Sequence, residues 1–162
     1  MRTYLALFLI LAAACGGTSR PETATPQPAA AAPRAGLQIK LTTVYVDDQA
    51  KALRFYTDVL GFAKKDDFTN GPYRWLSVTD GGGGELQLAL NDNPAAKAFQ
   101  QAMFAQSQPA VMFYTDDVKA DYERIKARGA EFTMPPTDVT ASTIAVLKDT
   151  CGNLVQLTQL NR

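Results

Sequence analysis

The sequence predicts an α+β domain of two tandem βαβββ modules, and three observations predict it. Runs of β-branched and aromatic residues alternate with two stretches of helical period. Gly, Pro and Asn-Gly signals punctuate the strand candidates at short intervals. The second half also repeats the first: a shift of 69 residues lays Val46-Asp47-Asp48 on Thr115-Asp116-Asp117 and Leu86-Gln87-Leu88 on Val155-Gln156-Leu157. One offset that aligns both ends of a unit marks a duplication.

The elements follow in order. Leu37 to Val46 is β-rich, with Thr42, Thr43, Val44, Tyr45 and Val46 at its centre. Asp47-Asp48 supplies an N-cap for a helix over Gln49 to Leu60, with Leu53, Tyr56 and Leu60 on one stripe and Gly61 at the C′ position. Phe62 to Phe68, Tyr73 to Val78 and Glu85 to Leu90 read as strands, separated by Asn70-Gly71-Pro72 and Gly81 to Gly84. A connecting helix over about 94–106 is capped by Asn93, starts on Pro94 and pairs Phe99 with Met103. Then Ala110 to Thr115 is a strand, and Asp116-Asp117 caps a helix with Val118, Tyr122 and Ile125 on its stripe, closed by Gly129. Phe132 to Met134, Thr143 to Leu147 and Leu154 to Leu160 complete the second module. The modules are thus about 37–91 and 108–162, within a domain over 37–162.

The N-terminal segment has another character. Arg2 precedes an apolar run from Tyr4 to Ala14, too short to span a bilayer, which reads as an export signal over 1–15. Leu11-Ala12-Ala13-Ala14-Cys15 resembles a bacterial lipobox with its Leu one position early, which implies lipidation of Cys15. Residues 16–36 are Pro, Ala, Thr and Gly with almost nothing large enough to bury, so they are expected to form a disordered tether. The expected location is the cell envelope, on the outer membrane facing the periplasm if the host has two membranes. With Cys15 lipidated, Cys151 is the only thiol left.

Composition excludes several functions. Sixteen basic residues balance 16 acidic ones without a basic block, so nucleic acid is not an expected partner. The chain has no histidine, which removes His-dependent triads and the commonest metal ligand. Gly81 to Gly84 joins two strands and lacks a following Lys, so it is no phosphate loop.

VYVDDQAKALRFYTDVLGF and DTCGNLVQL resemble the opening and closing segments of vicinal-oxygen-chelate proteins (glyoxalases, bleomycin resistance proteins, dioxygenases) over about residues 38–158. The resemblance implies that the sheets of the two modules form a cup. It also implies a metal held by residues on the first and fourth strands of each module, which here fall on Leu41, Gln87, Ala110 and Gln156. Leu41 and Ala110 have no lone pair, and two neutral amides offer a divalent cation no charge neutralisation. No metal and no cofactor are therefore expected, and no catalytic residue is assigned.

Alternation along the strands places Thr43, Tyr45, Trp75, Gln87, Met112, Tyr114 and Gln156 in the cup, an aromatic and softly polar lining suited to a small flat or amphiphilic ligand. Arg74 could meet an anion only if a bulge turned it inward. The expected function is metal-independent binding of such a molecule by a lipid-anchored protein. The alternative is a glyoxalase-like lyase or isomerase, or a dioxygenase-related enzyme, with Glu85, Tyr45 or Tyr114 as acid–base groups. The resemblance also allows a homodimer in which a second copy completes the cup.

Overall fold

The computed structural model describes Gly36 and residues 39–161. The expected leader, Cys15 and all of the tether except Gly36 lie outside the described residues. The first module comprises β1 (Thr42–Val46), α1 (Gln49–Arg54, continued by a π-helical stretch over Phe55–Leu60), β2 (Ala63–Asn70), β3 (Tyr73–Thr79) and β4 (Glu85–Leu90). After α2 (Pro94–Ala105) come β5 (Val111–Tyr114), α3 (Val118–Ala127), β6 (Phe132–Val139), β7 (Ser142–Lys148) and β8 (Leu154–Leu160). Counterparts keep the one offset throughout: Thr42 with Val111, Ala63 with Phe132, Tyr73 with Ser142, Glu85 with Leu154.

The four-stranded sheets run β1-β4-β3-β2 and β5-β8-β7-β6. In each, the first strand lies parallel to the fourth and the other pairs are antiparallel. Asp48 and Asp117 cap α1 and α3 by accepting from the second and third amides beyond them.

Three elements depart from the sequence expectation. β1 begins at Thr42 rather than Leu37, because its parallel pairing with β4 begins at Thr42 opposite Leu86. β6 runs on to Val139 through Pro135-Pro136, which an edge strand tolerates where the register shifts between Met134 and Thr137. The helix of the first module changes to π-helical i→i+5 bonding over Phe55–Leu60; Tyr56 and Leu60 of the expected stripe are buried together with Phe55, and Leu53 packs partly buried on the same core. Gly61 ends the helix at φ 96, the left-handed conformation expected of it.

One face of each sheet packs on its helices. Val44, Val46, Leu76, Val78, Leu86 and Leu88 meet Ala52, Phe55, Tyr56 and Leu60, while Ala145, Leu147, Val155 and Leu157 meet Val118 and Ile125. The two halves form one hydrophobic cluster. Each fully buried side chain of this size contributes about 1.5–3 kcal/mol. Phe62 meets Phe113 edge-on at 4.9 Å across the halves. Arg124 donates to the Leu60 carbonyl at 3.2 Å, and Arg128 to those of Asp58 and Val59 at 3.3 and 3.2 Å. Guanidinium groups of the second module thereby satisfy orphan carbonyls at a helix C-terminus of the first.

Candidate functional site

The face of each sheet opposite α1 and α3 carries the residues predicted for the cup. In parallel β1 and β4, Thr43 stands opposite Gln87 and Tyr45 opposite Ala89, while in β3 Ser77 lies opposite Gln87. Alternation along β3 then puts Tyr73 and Trp75 on this face and sends Leu76 and Val78 under the helices. Phe68 on β2 pairs with Trp75, and their rings stack at 6.0 Å and 9°.

This first face has a covered floor and an open rim. Ser77 and Gln87 are buried, whereas Tyr45 is 37%, Tyr73 51% and Phe68 56% exposed. The Thr43 hydroxyl donates to Gln87 Oε1 at 3.0 Å, and Gln87 Nε2 donates to the Tyr73 hydroxyl at 2.7 Å. Glu85 is ion-paired with Lys65, whose ammonium, helped by the Ser77 hydroxyl, holds the Glu85 carboxyl below its usual value. A bulge in β2 opposite Ser77 places the Asp66 amide against the Ser77 hydroxyl at 3.3 Å. Tyr45, Tyr73, Ala89 and Phe99 of α2 line a hollow of about 700 Å³ at the end of this face.

On the second face, Met112 lies opposite Gln156 and Tyr114 opposite Thr158, with Ile144 and Val146 beside them on β7. Gln156 Nε2 donates along its own strand to the Thr158 hydroxyl at 3.0 Å. Gln87 and Gln156 therefore bond within their own sheets. Met112 and Tyr114 line a cavity of about 420 Å³ with Leu41, Phe62, Val78 and Glu85. Thr43, Tyr45, Trp75 and Gln87 thus share one face, and Met112, Tyr114 and Gln156 share the other. The two modules share one hydrophobic cluster, and the 420 Å³ cavity takes lining residues from both.

A profile of the Glyoxalase/Bleomycin resistance protein/Dioxygenase superfamily matches residues 38–157. The chain belongs to this superfamily. It is 44% identical over 126 residues to the uncharacterised protein YurT of Bacillus subtilis (strain 168), covering 76% of this chain and 99% of that protein. The solved structure of UcmS2 is similar, with TM-score 0.67 and 28% identity over 76% of this chain and 98% of that one. So is that of TnmS3, described as an antibiotic binding protein from Streptomyces sp. CB03234, with TM-score 0.63 and 29% identity over 79% and 99% of the two chains.

Leu41, Gln87, Ala110 and Gln156, where the resemblance places metal ligands, do not suit a divalent cation. Leu41 and Ala110 carry no donor atom, and both amide atoms of Gln87 are engaged by Thr43 and Tyr73. Among the described residues no group of three or more His, Cys, Asp or Glu is placed to hold a metal.

Arg74 does not turn toward the ligand face. It lies on the side of Leu76 and grips Asp67 through Nε and Nη2 at 2.8 and 2.9 Å. That ion pair holds the Asp67 carboxyl below its usual value.

A buried polar cluster lies elsewhere, in the turn before β8. Asp149 accepts from the amides of Cys151 and Asn153, the Asn153 side chain and the Tyr56 hydroxyl. Burial nonetheless raises its carboxyl above the usual value. Gln100, the buried residue of α2, donates to the carbonyls of Tyr45 and Cys151 at 2.8 Å. Cys151 is buried with its thiol pushed up to about 12, chiefly by desolvation, which makes it a poor nucleophile.

Sequence reasoning missed Phe68 and Tyr73. Phe68 sits across the hairpin from Trp75, and a period-2 count carried through β2 from Asn70-Gly71 would have put both rings on one face. Alternation along β3 places Tyr73 on the face of Trp75, but its bond to Gln87 on the next strand carries no local signal.

Proposed function

We propose that this protein binds one small, flat aromatic or amphiphilic molecule without a metal, held at the cell envelope by a lipid anchor. The observation that carries the reading is the open rim of Tyr45, Phe68, Tyr73 and Trp75 around a polar floor. Ring surface left in water around a few fixed hydrogen-bonding groups is what a ligand of mixed character needs. The likeness to TnmS3, described as an antibiotic binding protein, supports binding. The donor set of Leu41, Gln87, Ala110 and Gln156 supports independence from metal. Glu85, the one carboxylate candidate for proton transfer, is committed to Lys65, which favours binding over catalysis.

In this reading Cys15 carries the lipid and residues 16–36 space the domain from the membrane, the outer one facing the periplasm in a host with two membranes. Two copies pair over the exposed faces as a homodimer; Met112 and Tyr114, 47% and 68% exposed, would be covered by it.

Trp75 is the only tryptophan in the chain, so its fluorescence reports occupancy. Titration with a set of flat amphiphilic aromatics is expected to give saturable quenching that a chelator leaves unchanged. Quenching that requires added zinc, nickel, manganese or iron would overturn metal independence, and no quenching by any compound would overturn binding. Palmitate labelling that disappears in Cys15→Ala tests the anchor, and sedimentation tests the dimer.

A further inference from the structure

We propose that Tyr73 is the specificity-determining hydrogen-bond donor of the first face, and that the ligand is a planar fused-ring molecule carrying a carbonyl-type acceptor at its edge. The inference rests on the small-molecule reading above. Its starting point is the direction of a three-residue relay. The Thr43 hydroxyl donates to Gln87 Oε1, and Gln87 Nε2 donates to the Tyr73 oxygen. With its oxygen already accepting, the Tyr73 hydroxyl has its own hydrogen left to give, and no described residue accepts it. Each bond polarises the next, by about 10–30% in such chains, so the relay sharpens the phenol as a donor. Any group that completes it must be an acceptor.

Position supplies the rest of the ligand's outline. Tyr73 and Trp75 are alternate residues of β3, on the same face and roughly 7 Å apart along the strand. Phe68 and Trp75 stack nearly parallel at 6.0 Å, so each ring keeps one outer face for a flat ligand. A fused-ring plane resting there brings an edge atom to the Tyr73 oxygen, whose ring is half exposed.

The fold itself does not require this arrangement. In the second module the counterparts of Thr43, Phe68, Tyr73 and Trp75 are Met112, Thr137, Ser142 and Ile144. The same strands pair there in the same order without relay or stacked aromatic pair. Gln156, the counterpart of Gln87, turns along its own strand to Thr158.

A matched pair of probes tests the idea on the full chain: 9-fluorenone and fluorene, each bearing a 2-trimethylammonium group, which share ring outline and charge, carry no other acceptor and differ by one carbonyl. Equilibrium dialysis is expected to find the ketone bound about 3- to 10-fold more tightly, the range of one hydrogen bond. Tyr73→Phe keeps the ring and should erase that preference by weakening the ketone probe. Thr43→Val interrupts the far end of the relay and should reduce the preference without removing it. If both probes bind equally to the parent chain, or Tyr73→Phe weakens both alike, the assignment to Tyr73 is wrong while ligand binding at this face stands. If neither probe binds at millimolar concentration, the binding reading of this face falls and takes the proposal with it.

Discussion

The two modules make the same turn before their last strand and put it to different uses. In the first, Asp80 accepts from the amides of Gly82 and Gly84; in the second, Asp149 accepts from those of Cys151 and Asn153. Gly81 sits at φ 81 and its counterpart Thr150 at φ 66. The first turn is exposed glycine. The second is buried, where Asp149 also receives the Tyr56 hydroxyl and Gln100 reaches the Cys151 carbonyl. Duplication supplied one backbone solution, and side chains then made one copy a clasp between modules and left the other as loop. The same division holds on the sheet faces, where the first carries Trp75, Tyr73 and Phe68 and the second Ile144, Ser142 and Thr137.

Swapping the two turns' roles is the hardest test of that contrast. Asp149→Ala strands two buried amides and the Tyr56 hydroxyl and should lower stability by about 2–4 kcal/mol, read as a shift in urea midpoint. Asp80→Ala, with water free to replace the carboxylate, should cost less than about 1 kcal/mol. Equal losses would mean that burial does not separate the turns.

On the faces, Trp75→Ala should weaken binding of flat aromatic probes by about tenfold or more, and Ile144→Ala by less than about twofold, measured by dialysis. The left-handed position gives a smaller effect of opposite sign. Thr150→Gly relieves a β-branched residue at positive φ and should raise stability by roughly 0.5–1 kcal/mol, whereas Gly81→Thr should lower it.

Least of all is the acid response of the Lys65–Glu85 pair, whose counterparts are Met134 and Leu154. The Glu85 carboxyl is held below its ordinary 4.5, so its contribution is present above 4.5 and lost as pH falls through the lower folded value. Asp149 runs the other way: its raised carboxyl favours the folded state more once protonated. Glu85→Gln should flatten the first trend and leave the second.

The sequence made most of the architecture legible because the duplication is local and periodic. Caps at Asp48 and Asp117, the Gly61 stop and the alternation of β3 are all short-range signals, and they place Trp75 and Gln87 on one face. What it did not disclose is long-range. Gln100 looks like a solvated helix residue until Tyr45 and Cys151 present carbonyls to it from 55 and 51 positions away. Arg74 looks free until the hairpin register delivers Asp67. The π-helical bonding over Phe55–Leu60 is set by packing and has no period of its own in the residue pattern.

Cys151 turns the buried clasp into something that can be timed. The residue is 1% exposed, and its sulfur rests 3.7 Å from the Asp48 carbonyl and resists ionisation, so a maleimide can reach it only while the turn is open. Alkylation of the peptide that carries it, followed by mass, is then a clock for the parting of the two modules. The clock should run faster in Tyr56→Phe than in the parent chain, with no label engineered into the molecule.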